Sequence, residues 1–215
     1  MSLTQSGIGD HFGYGLYVYD KTDDRVENDS DKSYGLQLNY AKDKFSAIYN
    51  LITGSEQNSS GSQSDLNHNG AKKTMHETIL TYNATETLTL VFDGVVGVTH
   101  KYDASTDKNI RYQSLVGYAD FKLSQRDSLN FRYENFNDLT SNSAVNNLFT
   151  TTANPNARPP QIDSYTLTNR YTLANGSEIR AEYRFDSATK ELFPAHNGEF
   201  KKTQSTVTIG WLYSI

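Results

Sequence analysis

Apolar side chains recur at every second residue over segments of roughly ten residues, and helical spacing is nowhere sustained. In Tyr34-Gly35-Leu36-Gln37-Leu38-Asn39-Tyr40 the large apolar groups fall on one face, with Gly35, Gln37 and Asn39 on the other. The same alternation sets Leu129, Phe131 and Tyr133 against Asn130, Arg132 and Glu134. It sets Ile179, Ala181, Tyr183 and Phe185 against Glu178, Arg180, Glu182 and Arg184, and Val207, Ile209, Trp211 and Tyr213 against Thr206, Thr208 and Gly210. Ten strands are predicted: 11–20, 32–42, 44–53, 73–83, 87–100, 109–123, 127–138, 162–173, 177–187 and 203–215. Two of them, around Met75 to Tyr82 and Ile110 to Leu123, carry apolar residues on both faces, so their orientation stays open. Residues 1–10 are read as an amino-terminal segment and 11–215 as one domain.

The connections alternate in length. Tight turns fall at Ala41 to Lys44, Asn83 to Glu86, Ser124 to Asp127 and Ala174 to Ser177, as hairpins require. Long polar stretches fall between them, among them Lys21 to Asp31, Gly54 to Lys72, Lys101 to Lys108, Leu139 to Gln161 and Ser187 to Lys201. Short turns therefore gather at one end of a sheet and long loops at the other. Each tight turn leads into a similar start, at Phe45, Leu88, Leu129 and Ile179, a weak repeat of hairpin length.

A soluble sandwich or lipocalin-like barrel would turn the apolar face inward. An outer-membrane barrel inverts this, with apolar side chains toward lipid, polar ones toward the lumen, short periplasmic turns and long extracellular loops. Three features favour the inverted case. The segments have the nine to eleven residues that a tilted membrane strand needs. Tyr and Phe stand near segment ends, at Tyr40, Phe45, Tyr82, Phe121, Tyr171 and Tyr213, as in interfacial girdles. Full charges, such as Arg132, Glu134, Arg180, Glu182 and Arg184, lie in mid-strand on the opposite face. The expected fold is all-β: an antiparallel transmembrane β-barrel of about ten strands, with both termini on the short-turn side.

Composition agrees. With 15 Tyr and 10 Phe against one Trp in 215 residues, the chain is rich in side chains that pair a wet end with an apolar body. The most apolar stretch, Leu88 to Val98, is interrupted by Asp93, which excludes helical spans. A net charge of −5 without any basic block argues against nucleic acid as a partner. The absence of cysteine removes disulfides, thiolate nucleophiles and thiolate metal sites. The first residues lack the charged and apolar regions of a signal peptide, so either the chain is not exported or its leader has been removed.

Phe131-Arg132-Tyr133-Glu134-Asn135-Phe136-Asn137-Asp138 and Arg180-Ala181-Glu182-Tyr183-Arg184-Phe185-Asp186, followed by Lys201 to Thr206 and a terminal strand, resemble the closing strands of the OmpL-like Gram-negative outer-membrane porins. Lys42-Asp43-Lys44-Phe45-Ser46 resembles that family's hairpins. The resemblance implies a solute-passing barrel in the bacterial outer membrane, surrounded by outer-membrane lipids. Such barrels usually end in an aromatic residue, whereas Ile215 stands last here, with Trp211 and Tyr213 upstream. Family members tend to be longer, which makes this chain a small variant or the carboxy-terminal part of a larger barrel.

The candidate site is the charge lattice of Arg132, Glu134, Arg170, Glu178, Arg180, Glu182, Arg184 and Asp186, read as pore-lining. It can form a constriction that screens solutes by size and charge. It can equally pair across strands and fill the interior, which ten strands favour, being nearer the filled eight-stranded case than the open sixteen-stranded one. Catalysis has weaker support: His76, His100, Asp103 and Asp107 lie near predicted loop ends, but no nucleophile-elbow motif is present. The acidic run Asp20 to Lys32 lacks the Gly and terminal Glu of an EF-hand loop and reads as solvated. No cofactor and no metal are expected. The function expected is passive diffusion of small hydrophilic solutes; the alternative is a closed barrel acting through its extracellular loops as an adhesin or anchor.

Overall fold

A computed structural model describes residues 2–8, 11–19, 32–55, 72–103, 108–139, 161–196 and 198–213. Period-two segments separated by turn residues can satisfy their backbone only in ladders, and the chain does so by the simplest route. The strands are β1 (Ser2–Ile8), β2 (Phe12–Tyr19), β3 (Ser33–Lys42), β4 (Phe45–Ser55), β5 (Lys72–Asn83), β6 (Leu88–Asp103) and β7 (Lys108–Lys122). They continue with β8 (Asp127–Asp138), β9 (Gln161–Thr172), β10 (Glu178–Ala188), β11 (Phe193–Pro194), β12 (Phe200–Lys201) and β13 (Thr203–Leu212). One sheet holds eleven of them in the order β1 to β10 and then β13, every neighbouring pair antiparallel. The short β11 and β12 pair with each other in the connection before β13.

All ten predicted segments are strands. Three expectations need correction. Residues 2–8, read as a leading segment, form β1 and pair with β2, Ser2 opposite Tyr17 and Ile8 opposite Phe12, so the sheet has eleven strands. Ser2 consequently stands at the long-loop end while Leu212, opposite Glu178, stands at the short-turn end; the two ends do not share a side. Lys101 to Lys108 is not a long loop, because β6 runs on for 16 residues as far as Asp103, which pairs with Lys108 at the start of β7.

The turns have local causes. Asp43 takes a left-handed conformation (φ 53°) in the two-residue β3–β4 turn, where Asp is among the few side chains that tolerate it. Gly176 (φ 82°) does the same in the β9–β10 turn, beside Asn175, whose side-chain oxygen accepts from Ser177 N at 3.1 Å and Ser177 Oγ at 2.7 Å. Thr85 Oγ1 accepts from the amides of Thr87 and Leu88 in the β5–β6 turn.

The register decides which residues share a face. Tyr14, Leu38, Tyr49 and Thr78 lie side by side, as do Tyr40, Ala47, Leu80, Phe92, Gly117 and Tyr133. This face is exposed across the sheet: Phe12, Leu38, Phe92, Leu115, Phe131, Leu167 and Ile209 are among its uncovered apolar side chains. The two strands left open now have sides, with Leu80 and Tyr82 of β5 and Leu115 and Phe121 of β7 on the apolar face. Phe45, Tyr82, Phe121 and Tyr171 border the tight turns, and Tyr40 packs on Phe12 (ring centroids 4.7 Å apart) and Phe45 (6.3 Å).

Burial is inverted. Among the described residues only Ala188 and Leu192 are buried hydrophobic residues, while Ser33, Ser164, Thr166, Ser177 and Asp186 are buried polar ones. A water-soluble fold of this size would bury its large apolar groups. The exposed face is instead suited to hydrocarbon, which predicts an asymmetric response to charge. Leu38→Arg is expected to cost about 2 to 4 kcal/mol in lipid vesicles, as a charge at mid-bilayer depth does, and Gln37→Arg on the opposite face distinctly less. Guanidinium titration of vesicle-inserted protein measures both.

Candidate functional site

The face of β8, β9 and β10 opposite the exposed apolar side chains carries the charges. Period two places Arg132 and Glu134 on this face of β8, Arg170 on β9, and Glu178, Arg180, Glu182, Arg184 and Asp186 on β10, and the register brings all eight onto one surface. Between the charged strands β8 and β10, strand β9 presents hydroxyls: Thr166 lies between Arg132 and Arg184, Ser164 between Glu134 and Asp186, Thr168 between Asn130 and Glu182. Short hydroxyl side chains hold like charges two strands apart, about 10 Å in the pairing direction.

Most ion pairs run along a strand rather than across strands. Arg132 Nη2 lies 3.1 Å from Glu134 Oε2, Arg184 Nε 2.7 Å from Asp186 Oδ1, and Arg180 pairs with Glu178. Arg170 reaches across to Glu178 at 3.7 Å and donates to Ser128 Oγ at 3.1 Å. Glu182 accepts from Thr168 Oγ1 at 2.9 Å. The tightest node is Asp186, whose side chain is 3% exposed and which accepts from Ser164 Oγ (2.5 Å), Arg184 Nε (2.7 Å) and Gln204 Nε2 (2.8 Å). Ser164 in turn accepts from Arg184 Nη2 at 3.1 Å.

Sequence reasoning missed the rest of this wall. Gln37 donates to Asn50 Oδ1 (2.9 Å) and Asn50 to Glu77 Oε2 (2.7 Å), a chain across β3, β4 and β5. Asp93 faces the same side, opposite Ile79 and Val116, and Asn130 donates to Asp120 at 2.5 Å. Met75, Ile79, Val91, Val95 and Val116 share this sector, which gives the inner wall a charged half and a largely apolar half. That apolar half is why β5 and β7 read as two-faced.

Of the residues weighed for catalysis, His76 and His100 lie in described strands. His76 points to the apolar side, hydrogen-bonded with the Tyr49 hydroxyl at 2.7 Å, and its neighbours there are Leu51, Val96, Thr74 and Thr78. His100 sits opposite Lys72 at the loop end, while the Asp103 side chain, Asp107 and the acidic run 20–31 lie outside the described residues. No three His, Asp or Glu side chains converge as metal ligands among the described residues.

A family model described as "Putative beta-barrel porin-2, OmpL-like" matches residues 5–215. The chain belongs to this OmpL-like β-barrel porin family. Among solved structures it is similar to the NanC porin in its rhombohedral crystal form, at 11% identity and a TM-score of 0.51, over 100% of this chain and 91% of that one. At that identity the likeness speaks for the fold, a porin-type barrel. No curated protein matches. In a chain of this β-barrel porin family, the uncovered apolar face and the charged face are the two sides of one sheet.

The lattice makes unequal demands on its members. Asp186→Ala leaves three donors in a buried place without their acceptor and is expected to lower stability by about 1 to 3 kcal/mol. Arg180→Ala removes a half-exposed partner of Glu178, which keeps Arg170, and is expected to cost about 1 kcal/mol or less. Denaturant titration of the two variants in the same vesicles separates these outcomes.

Proposed function

We propose that this porin-family barrel is a water-filled passage through the bacterial outer membrane for passive diffusion of small hydrophilic solutes. The eight charged residues of β8, β9 and β10 form its narrowest polar wall. The observation that carries this is the accessibility of inward arginines: the side chains of Arg170, Arg180 and Arg184 retain 51%, 47% and 37% exposure while facing the interior. In a barrel filled by its own side chains these groups would be packed away.

The charges also suggest a bias. Arg132, Arg170, Arg180 and Arg184 are matched in number by Glu134, Glu178, Glu182 and Asp186, so the lattice is balanced, with signs that alternate along the strands and rows of like sign across them. Glu77 and Asp93 add negative charge on the β5–β6 sector, where Asn50, Val95, Ile79 and Val116 are their cross-strand neighbours. Charged rings of one sign favour the counter-ion. The passage therefore prefers small cations and neutral polar solutes to anions of the same size.

Single-channel recording of the refolded chain in a planar bilayer tests this. Stable unitary steps are expected. Arg170→Ala and Arg184→Ala should raise unit conductance and shift the reversal potential in a potassium chloride gradient toward cations, and Glu77→Gln with Asp93→Asn should shift it toward anions. Silence from protein shown by protease protection to be inserted would overturn the passage reading.

A further inference from the structure

Gly15 of β2 and Gly35 of β3 stand on the face of the charge lattice, since the cross-strand row that starts at Gly15 reaches Phe136, two residues beyond Glu134 on β8. Glycine weakens a strand interior and often marks a place where another group comes close to the backbone. Aromatic rings use the space here. Tyr17 leans down along its own strand, so that a Cβ at Gly15 would meet its hydroxyl at 2.6 Å and its Cε2 and Cζ at 2.9 Å. A Cβ at Gly35 would meet Tyr19 Cε2 at 3.1 Å. The Tyr17 and Tyr19 rings are parallel to within 11°, with centroids 5.9 Å apart. Both are half-buried, leaning over backbone with one ring face turned away from the sheet. The device recurs farther along the sheet: a Cβ at Gly97 would fall against the ring of Tyr112, which stacks beside Phe136 with centroids 6.3 Å apart.

A polar ladder joins the two ring pairs. Gly15, over which the Tyr17 hydroxyl lies, is paired with Gln37, and the same row continues through Asn50, Glu77, Val95 and Ser114 to Phe136. Gln37 donates to Asn50 and Asn50 to Glu77, while Gln37 Oε1 and Glu77 Oε1 stand outside these two bonds. One row thus carries ring faces at its ends and amide and carboxylate groups between them. The face of an aromatic ring is the negative part of its quadrupole and attracts polarised C–H groups. Amides and carboxylates exchange hydrogen bonds with hydroxyls. A ligand that satisfies both has C–H faces bordered by hydroxyls, which is the chemistry of a sugar ring. Parallel rings do not make the cage that encloses a quaternary ammonium. A phosphate-bearing ligand calls for a basic cluster, whereas Lys73 shares this sector with Glu77 and Asp93.

We propose that this row is a saccharide-binding track on the wall of the passage, with Tyr17 and Tyr19 as its principal platform and Gln37, Asn50 and Glu77 as the groups that bind sugar hydroxyls. The inference rests on the passage reading and deepens it, by naming neutral oligosaccharides as a class of solute. Tyr17 and Tyr112 lie in one cross-strand row, five strands apart, or about 24 Å along the wall. Ile52 and Met75 fill that row between them, so the surface from one platform to the other suits a chain of sugar rings better than a single one. The carboxylates of Glu77 and Asp93 set a neutral saccharide ahead of an acidic one. Half-buried rings and a short run of hydroxyl contacts hold a solute weakly at several places, as a passage requires if what enters is also to leave.

Calorimetric titration of the full-length protein, folded in detergent micelles, with maltotetraose, cellotetraose and chitotetraose tests the track. Polyethylene glycol of equal mass, choline and an acidic tetrasaccharide serve as controls. At least one neutral tetrasaccharide should bind. Tyr17→Ala should weaken that binding about tenfold or more, and Tyr17→Phe, which keeps the ring, should hold it within about twofold. Gly15→Ala keeps every aromatic group but lifts the end of the Tyr17 ring, and should also weaken binding; it carries the test if Tyr17→Ala does not fold. Binding that survives both Tyr17→Ala and Gly15→Ala would overturn the proposal. So would tighter binding of choline, the polyethylene glycol or the acidic tetrasaccharide than of every neutral one. Current recordings in a planar bilayer separate this inference from the reading beneath it. Blockades caused by the sugar and shortened by Tyr17→Ala support both. Tyr17-dependent binding to a protein that stays electrically silent would overturn the passage and leave the track, whereas conductance without binding of any of the neutral sugars would overturn the track alone.

Discussion

A strand crossing hydrocarbon must hand every backbone N–H and C=O to a neighbouring strand, because lipid offers no alternative partner. Most of this structure follows from that demand. It explains why consecutive strands are always neighbours, why turns are as short as two residues on one side, and why the ladders run unbroken over eight to twelve pairs in most of the sheet. It leaves side chains free to satisfy two different solvents. The outer face needs only apolar bulk and interfacial aromatics, while the inner face can carry groups that a soluble core would exclude.

The inner wall shows how such groups are kept. Charged β8 and β10 do not face each other directly; β9, with Ser164, Thr166 and Thr168 on the same face, separates them, and Ser164 and Thr168 donate to the β10 carboxylates of Asp186 and Glu182. Ion pairs formed along a strand, at residues two apart, need no register to meet, and this makes them robust to small slips between strands. Asp186 is the exception, tied to three strands through Ser164, Arg184 and Gln204, and it sits where β9, β10 and β13 must be held in step.

Much of this was legible in the alternation. All ten predicted segments are strands, and the eight lattice residues share a face because positions i, i+2 and i+4 always do. The partners within the lattice were not legible, since they depend on register, and register is set by turn geometry at single residues such as Asp43 and Gly176. Strand β1 escaped notice because Ser2-Leu3-Thr4-Gln5-Ser6-Gly7-Ile8 has only two large apolar residues, and they fall out of phase with each other. The extension of β6 past His100 was hidden because Lys101 and Asp103 are polar, as residues beyond the bilayer can be. The sides of β5 and β7 were ambiguous for the opposite reason: Ile79 and Val116 make the inner wall itself apolar there.

The inverted burial has a consequence for the life of the chain before it reaches the membrane. With Ala188 and Leu192 the sole buried hydrophobic residues among those described, nothing inside the protein draws it together in water. Collapse of Phe92, Leu115, Phe131 and Ile209 upon one another would produce an aggregate rather than a barrel. The polypeptide can therefore reach its native sheet only where a hydrocarbon surface receives that face. Its folding rate is governed by the encounter with lipid, and bilayer thickness and composition become parameters of its stability on a par with its own sequence.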